Sequence, residues 1–157
     1  MSERIKKTIK NFQRNNMNGY HVKDKEELIK LLDEIIRNNA TVGCGDSVTL
    51  EQLEVFEYLR NRQLEFYDKH EKGLTSKDKQ VLYIKNFSAD VFITGTNAVT
   101  ENGELINIDG NGSRVAPMIY GPKKVIIVVS ENKIMSNVTE GMERVRHRFC
   151  RCGGLQN

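Results

Sequence analysis

The sequence has no tryptophan, only two prolines and only three cysteines in 157 residues. Each scarcity excludes something. An odd cysteine count, with Cys44 far in sequence from Cys150 and Cys152, does not build a disulfide framework and fits a reducing compartment. No stretch approaches the roughly 18 apolar residues of a membrane span. The amino terminus carries no apolar run of signal-peptide type. A cytoplasmic chain with no membrane partner is expected. Charge of one sign is not in excess either: 24 Lys and Arg against 21 Asp and Glu leave +3, too little and too scattered to indicate nucleic acid. The most basic run, "RIKKTIK", alternates with apolar residues and reads as a solvated helix face. No internal repeat, low-complexity segment or interdomain linker stands out.

What remains is the composition of one globular domain, with 38% hydrophobic and 29% charged residues. Ile5, Ile9 and Phe12 share one face of a helix over about residues 3–15. Gly19 breaks it, and "YHV" suggests a short strand. Leu28, Leu31, Leu32, Ile35 and Ile36 mark a strongly amphipathic helix. "ATVGCG" reads as a buried strand, and Thr49 with Gln52 makes a capping box for the helix that follows. "LEFYD" is a third strand. A helix from about Ser76 to Asn86 is expected to bury Val81, Leu82 and Ile84, with Phe87 just beyond it. "DVFITGT" is strongly β, and Asn102-Gly103 predicts a hairpin between "NAVT" and "LINI". A short helix follows with Val115, Met118 and Ile119. "KKVIIVVS", the most hydrophobic strand, is expected at the sheet centre, and a last helix runs over about residues 137–149. Alternation of strand and helix predicts an α/β fold, a mostly parallel sheet flanked by helices.

Three stretches invite chemistry. "VGCGDS" ends a strand and leads into a helix, but a dinucleotide fingerprint needs glycine where Val48 stands. No cofactor is therefore expected, and Asp46, Ser47 and Thr49 read as helix caps. Strand ends are nevertheless where ligands sit in such sheets, so Asp46 remains a pocket candidate. "HRFCRC" offers His147, Cys150 and Cys152, but there is no second ligand pair to close a zinc site; no metal is expected. His21 and His70 have no nucleophile partner in the sequence and read as surface residues. The third stretch is the richest. Thr94, Thr96, Asn97, Asp109, Gly110, Asn111, Gly112 and Arg114 gather at strand ends and turns between "ITGTNAVTENGE" and "INIDGNGSRVA". Turns collect such residues in any case, yet this mixture of hydroxyls, amides, an acid and an arginine suits a small anionic ligand.

"VGCGDSVTLEQL" and "DVFITGTNAVTENGELINIDGNGSRVAPMIYGPKKVIIVVSENKI" resemble the LUD domain, the lactate-utilisation family, over about residues 25–148. The resemblance implies a fold like that of glucosamine-6-phosphate deaminase, ribose-5-phosphate isomerase and the coenzyme A transferases. It also implies a role in oxidising lactate to pyruvate beside iron–sulfur partner proteins. It carries no established reaction to a small stand-alone member, so catalysis itself is left open. "GTNAVTENGELINIDGNGSRVA" is more distantly similar to methylthioribose-1-phosphate isomerase and its translation-factor relatives. In those enzymes an acid lies where Asn97 stands, and a lysine follows the second turn's asparagine, which Asn107 lacks. That resemblance implies the scaffold without the isomerase chemistry.

Together these readings lead to definite expectations. Residues 1–20 form a helical extension, residues 21–149 a LUD-like α/β domain and residues 150–157 a short cysteine-containing tail. The tail, shorter than in longer relatives, reads as a truncation. Asp46, Thr94, Thr96, Asn97, Asp109, Gly110, Asn111, Gly112 and Arg114 bind a small anionic ligand, with Arg114 pairing to its carboxylate or phosphate. Alternatives are a non-catalytic subunit docking an iron–sulfur protein, or an enzyme acting on a small phosphorylated or CoA-linked substrate. The narrow apolar stripe of the first helix suggests a homo-oligomer.

Overall fold

The structure, a computed structural model, describes residues 1–151, with side chains through His147. The tail expected over residues 150–157, and with it the side chains of Cys150 and Cys152, lies outside the described side chains. The chain forms two compact units, and it passes between them at Val22–Lys23, Gly95–Thr96, Gly110–Asn111 and Val128–Val129.

The sheet unit, Lys23–Gly95 with Asn111–Val128, holds an all-parallel sheet flanked by helices. Its elements are α2 (Lys25–Ile35), β1 (Thr41–Cys44), α3 (Val48–Gln52), α4 (Val55–Arg60), β2 (Glu65–Tyr67), α5 (Ser76–Lys85), β3 (Val91–Thr94), α6 (Val115–Ile119) and β6 (Lys124–Ile127). The strand order is β2-β1-β3-β6. β1 and β3 read as near-continuous apolar runs because both faces are covered: Val42, Cys44, Val91, Phe92 and Ile93 are all buried. Leu28, Leu32 and Ile36 of the α2 segment, and Leu50, Val55, Phe56 and Leu59 of α3 and α4, complete this core.

At the amino ends of the strands Asp90 acts as a latch. Its Oδ2 accepts hydrogen bonds from the Thr41 backbone N–H and hydroxyl, both at 3.0 Å, and its Oδ1 accepts from Lys123 Nζ at 2.7 Å. These bonds, led by that from Lys123, lower the carboxyl from 3.8 to about 2. A carboxylate favoured by folding contributes stability that is complete above its unfolded value and lost as pH falls through the folded one. Thermal melts should therefore show a loss of stability between pH 4 and 2 that is shallower in Asp90→Asn. Identical profiles would show that the latch contributes nothing.

The hairpin unit comprises Met1–Val22, Thr96–Gly110 and the residues from Val129 on. It contains α1 (Glu3–Arg14), β4 (Ala98–Thr100), β5 (Leu105–Ile106), β7 (Ile134–Met135) and α7 (Val138–Arg151). β4 is central, antiparallel to β5 and parallel to β7. The turn at Asn102-Gly103 is built as the sequence predicts: Gly103 adopts φ +90° and its N–H bonds to Thr100 O at 2.9 Å. α1 docks on this turn. Arg4 and Lys7 both reach the Glu101 carboxylate, and Asn11 Nδ2 donates to Glu101 O at 2.8 Å. Gly103 is required twice over, since a Cβ there would also press on the Asn11 backbone. Ala98, Ile106 and Val145 form the small core, with Ile108, Met135 and Met142 around it.

The structure corrects several expectations. "YHV" is not a strand. β6 is an edge strand, its three apolar residues half-buried, rather than the centre; apolar content alone does not report the number of a strand's neighbours. The expected single helix after β1 is capped by Ser47, whose Oγ accepts from Leu50 N at 3.2 Å, and it breaks where Glu54 turns left-handed at φ 53°. α5 buries nothing fully: Val81, Ile84 and Phe87 are exposed. No helix among the described residues is long and apolar enough to cross a membrane.

Candidate functional site

Parallel strands bring their carboxyl ends to one edge. In the order β2-β1-β3-β6 the chain steps outward from β1 to β2, then returns past β1 to β3. The reversal lies between β1 and β3, and at such a point the loops after the two strands diverge and leave a crevice. Here those loops begin with Gly45-Asp46-Ser47 and Gly95, and the loop after β2 begins with Asp68-Lys69-His70.

Two glycines make the close packing of this edge possible. A Cβ on Gly45 would collide with Thr94 Oγ1 and Arg114 Cγ, and one on Gly95 would collide with Ser47 Oγ. Thr94 is fully buried, its hydroxyl donating to Gly95 O at 3.3 Å. Arg114 is buried too, immediately before α6.

The loop after β2 is a charged cluster held by Asp68. One oxygen of Asp68 accepts from Arg60 Nε at 2.6 Å, and the other accepts from the His70 backbone N–H at 2.9 Å. This fixes the turn that presents Lys69 and His70. The Lys69 side chain is only 4% exposed, yet Asp46 Oδ2, 2.8 Å from its Nζ, belongs to a side chain that is 71% exposed. The pair is close but not aligned as a hydrogen bond. Lys69 Nζ also lies over the Tyr83 ring, 5.4 Å from its centroid. Burying an ammonium is expensive without a counter-charge, so the pairing with Asp46 is what makes this position tenable. His70 stacks on Phe56 at 4.7 Å, and its Nε2 is buried without a hydrogen bond, 3.9 Å from Asp46 Oδ1. Burial first, and the Lys69 charge second, lower the His70 pKa from 6.5. The imidazole is therefore mostly neutral at pH 7.

Cys44 ends β1 beneath this cluster. Its thiol donates to Tyr67 O at 3.6 Å, and burial pushes it up to about 12. A thiol held protonated is neither a nucleophile nor a proton carrier near neutrality. Among the described residues no group of three or more His, Cys, Asp and Glu side chains is placed to hold a metal.

The nine candidate residues divide between the units. Asp46, Thr94, Asn111, Gly112 and Arg114 belong to the sheet unit, where the first two and Arg114 surround the carboxyl end of β1. In the glycine turn, Asn111 Oδ1 accepts from Ser113 N at 3.0 Å and Gly112 adopts φ +79°. Thr96, Asn97, Asp109 and Gly110 belong to the hairpin unit. Thr96 Oγ1 lies 3.0 Å from Ala98 O and 3.2 Å from Asn107 Oδ1. Two side-chain amides tie the segments together: the Asn97 N–H donates to Asn107 Oδ1 at 3.2 Å, and the Ile108 N–H donates to Asn97 Oδ1 at 3.1 Å. Arg144 Nε donates to Asn97 O at 3.2 Å. Lys69 and His70 escaped the sequence reading, which left His70 on the surface. The signal was "DKH" directly after an apolar strand, where a parallel sheet places its loops.

These features define an α/β protein whose charged side chains gather at the carboxyl edge of a parallel sheet. The family model for the LUD domain matches residues 5–156, and the chain belongs to the LUD-domain family. The fold is consistent with the superfamily of the deaminases, isomerases and coenzyme A transferases named above. Comparison with curated proteins and with solved structures gives no match.

Proposed function

We propose that the protein serves lactate or related organic-acid utilisation, the role its family supports, by binding a small anionic ligand at the strand ends of the sheet unit. The observation that carries this reading is the presence of two buried cationic side chains, Lys69 and Arg114, beside the end of β1. Two buried cationic groups at one strand-end edge suit an anionic ligand, which an arginine or lysine can bind through charge-assisted hydrogen bonds. Thr94, buried beside Gly45 and Arg114, supplies a hydroxyl at the same edge. Isothermal titration with L-lactate and with inorganic phosphate tests the reading. Arg114→Ala should weaken binding of the ligand that binds by about 1.5–3 kcal/mol, the range for a charged hydrogen bond. Equal affinity for the variant and the parent would remove Arg114 from the site.

Action beside an iron–sulfur partner protein belongs to the same proposal. Val81, Ile84 and Phe87 lie exposed along α5 and its end, and Ile119 and Tyr120 are each 79% exposed. The Gly121 backbone packs on that of Phe87, which sets the two groups side by side. A partner surface with an apolar centre would complement this patch.

A further inference from the structure

We infer that Lys69 and His70 form the subsite for the ligand's carboxylate, and that Asp46 is a tethered carboxylate standing in that place until a ligand displaces it. The inference rests on the anion-binding reading above and narrows it to small monocarboxylates.

Three observations carry it. Lys69 Nζ and His70 Nε2 are both buried and both lack an aligned hydrogen bond, although one carboxylate lies against the two of them. A carboxylate evolved solely as a structural counter-charge would be expected to align with its lysine, since alignment is what repays the desolvation. Second, the partners differ in freedom. Asp46 is 71% exposed, so its carboxylate is readily hydrated once another anion takes over the ammonium, whereas Lys69 at 4% exposure cannot follow it. Third, the two Asp46 oxygens address the two nitrogens separately, Oδ2 toward Lys69 and Oδ1 toward His70. That is the span of a carboxylate. An incoming carboxylate, not constrained by the β1 backbone, can align with both nitrogens and keep the buried ammonium neutralised throughout the exchange.

The tether sets the scale of affinity. A side chain held beside its partner competes at an effective concentration of order millimolar. A displacing ligand must reach comparable levels, which suits an abundant metabolite.

The test uses the full chain with L-lactate as probe and inorganic phosphate as comparison. In the unaltered protein, L-lactate should shift the His70 ring signals in NMR saturably while those of His21 stay in place. In Asp46→Asn, which removes the competing charge, L-lactate should bind at least fivefold more tightly; in Lys69→Met, at least tenfold more weakly. If lactate binds but His70 does not respond, or Asp46→Asn binds equally or less well, the inference is overturned while the anion-binding reading stands. Preference for phosphate over lactate would also overturn it. No binding of either anion by any of the three proteins would sink both. The His70 response needs no substitution, so the question is answered even if a variant fails to fold.

Discussion

Replacing Phe92 by alanine is expected to remove about 3–5 kcal/mol of stability. Phe92 is fully buried in β3, hydrogen-bonded between β1 and β6 and in register with Gly43 and Val125. Its ring reaches over Gly43, where a Cβ would come within 3.3 Å of Phe92 Cδ2. The aromatic ring thus fills the space that the glycine leaves open on the neighbouring strand. Truncation would leave a cavity that two strands fixed by ladder bonds cannot close. Against a total stability of roughly 5–15 kcal/mol for a natural domain, this variant should be at or near unfolding. Urea denaturation should show a much lower midpoint with an unchanged slope. A loss below about 2 kcal/mol would mean that this part of the core can collapse onto the gap.

The reverse substitution at the same contact, Gly43→Ala, is expected to cost about 1–3 kcal/mol through overpacking. The added Cβ would meet Asn86 Oδ1 and Cγ before it met anything else. Asn86 is itself 2% exposed, at the end of the α5 segment. In an Asn86→Ala background most of the clash disappears, so Gly43→Ala should cost at least about 1 kcal/mol less there, a coupling of the size seen for residues in contact. Additive costs would show instead that strand flexibility, not the Asn86 contact, makes glycine necessary at position 43.

Much of this architecture was legible in the chain. Period-3.6 stripes located α1, α2 and α7, and apolar runs located β1 and β3, because a helix or strand that buries a face must repeat with its own geometry. The Asn-Gly turn was legible because only glycine readily takes the φ that Gly103 adopts. Failures fell where local pattern and global placement part. Val81, Ile84 and Phe87 carry the signature of a buried face, yet α5 leaves them exposed; composition cannot tell a face covered by its own sheet from one left for another surface. β7, two residues long, has no pattern to read. Its existence depends on β4 offering an open edge.

The candidate site divides the same way. By itself the sequence determined that the protein is α/β, that it belongs with the LUD domains, and that polar residues such as Asp46 and Thr94 fall at strand ends. Those properties follow from local periodicity, turn chemistry and motif order, all of which are written along the chain. Only the tertiary structure decided the strand order, and with it where the sheet reverses. It alone brought Lys69 and His70, more than twenty residues from Asp46 in the numbering, against that carboxylate. The reason is physical: burial and charge pairing are properties of space, and a lysine after one strand acquires its counter-ion from the loop after another only when the two strands lie side by side.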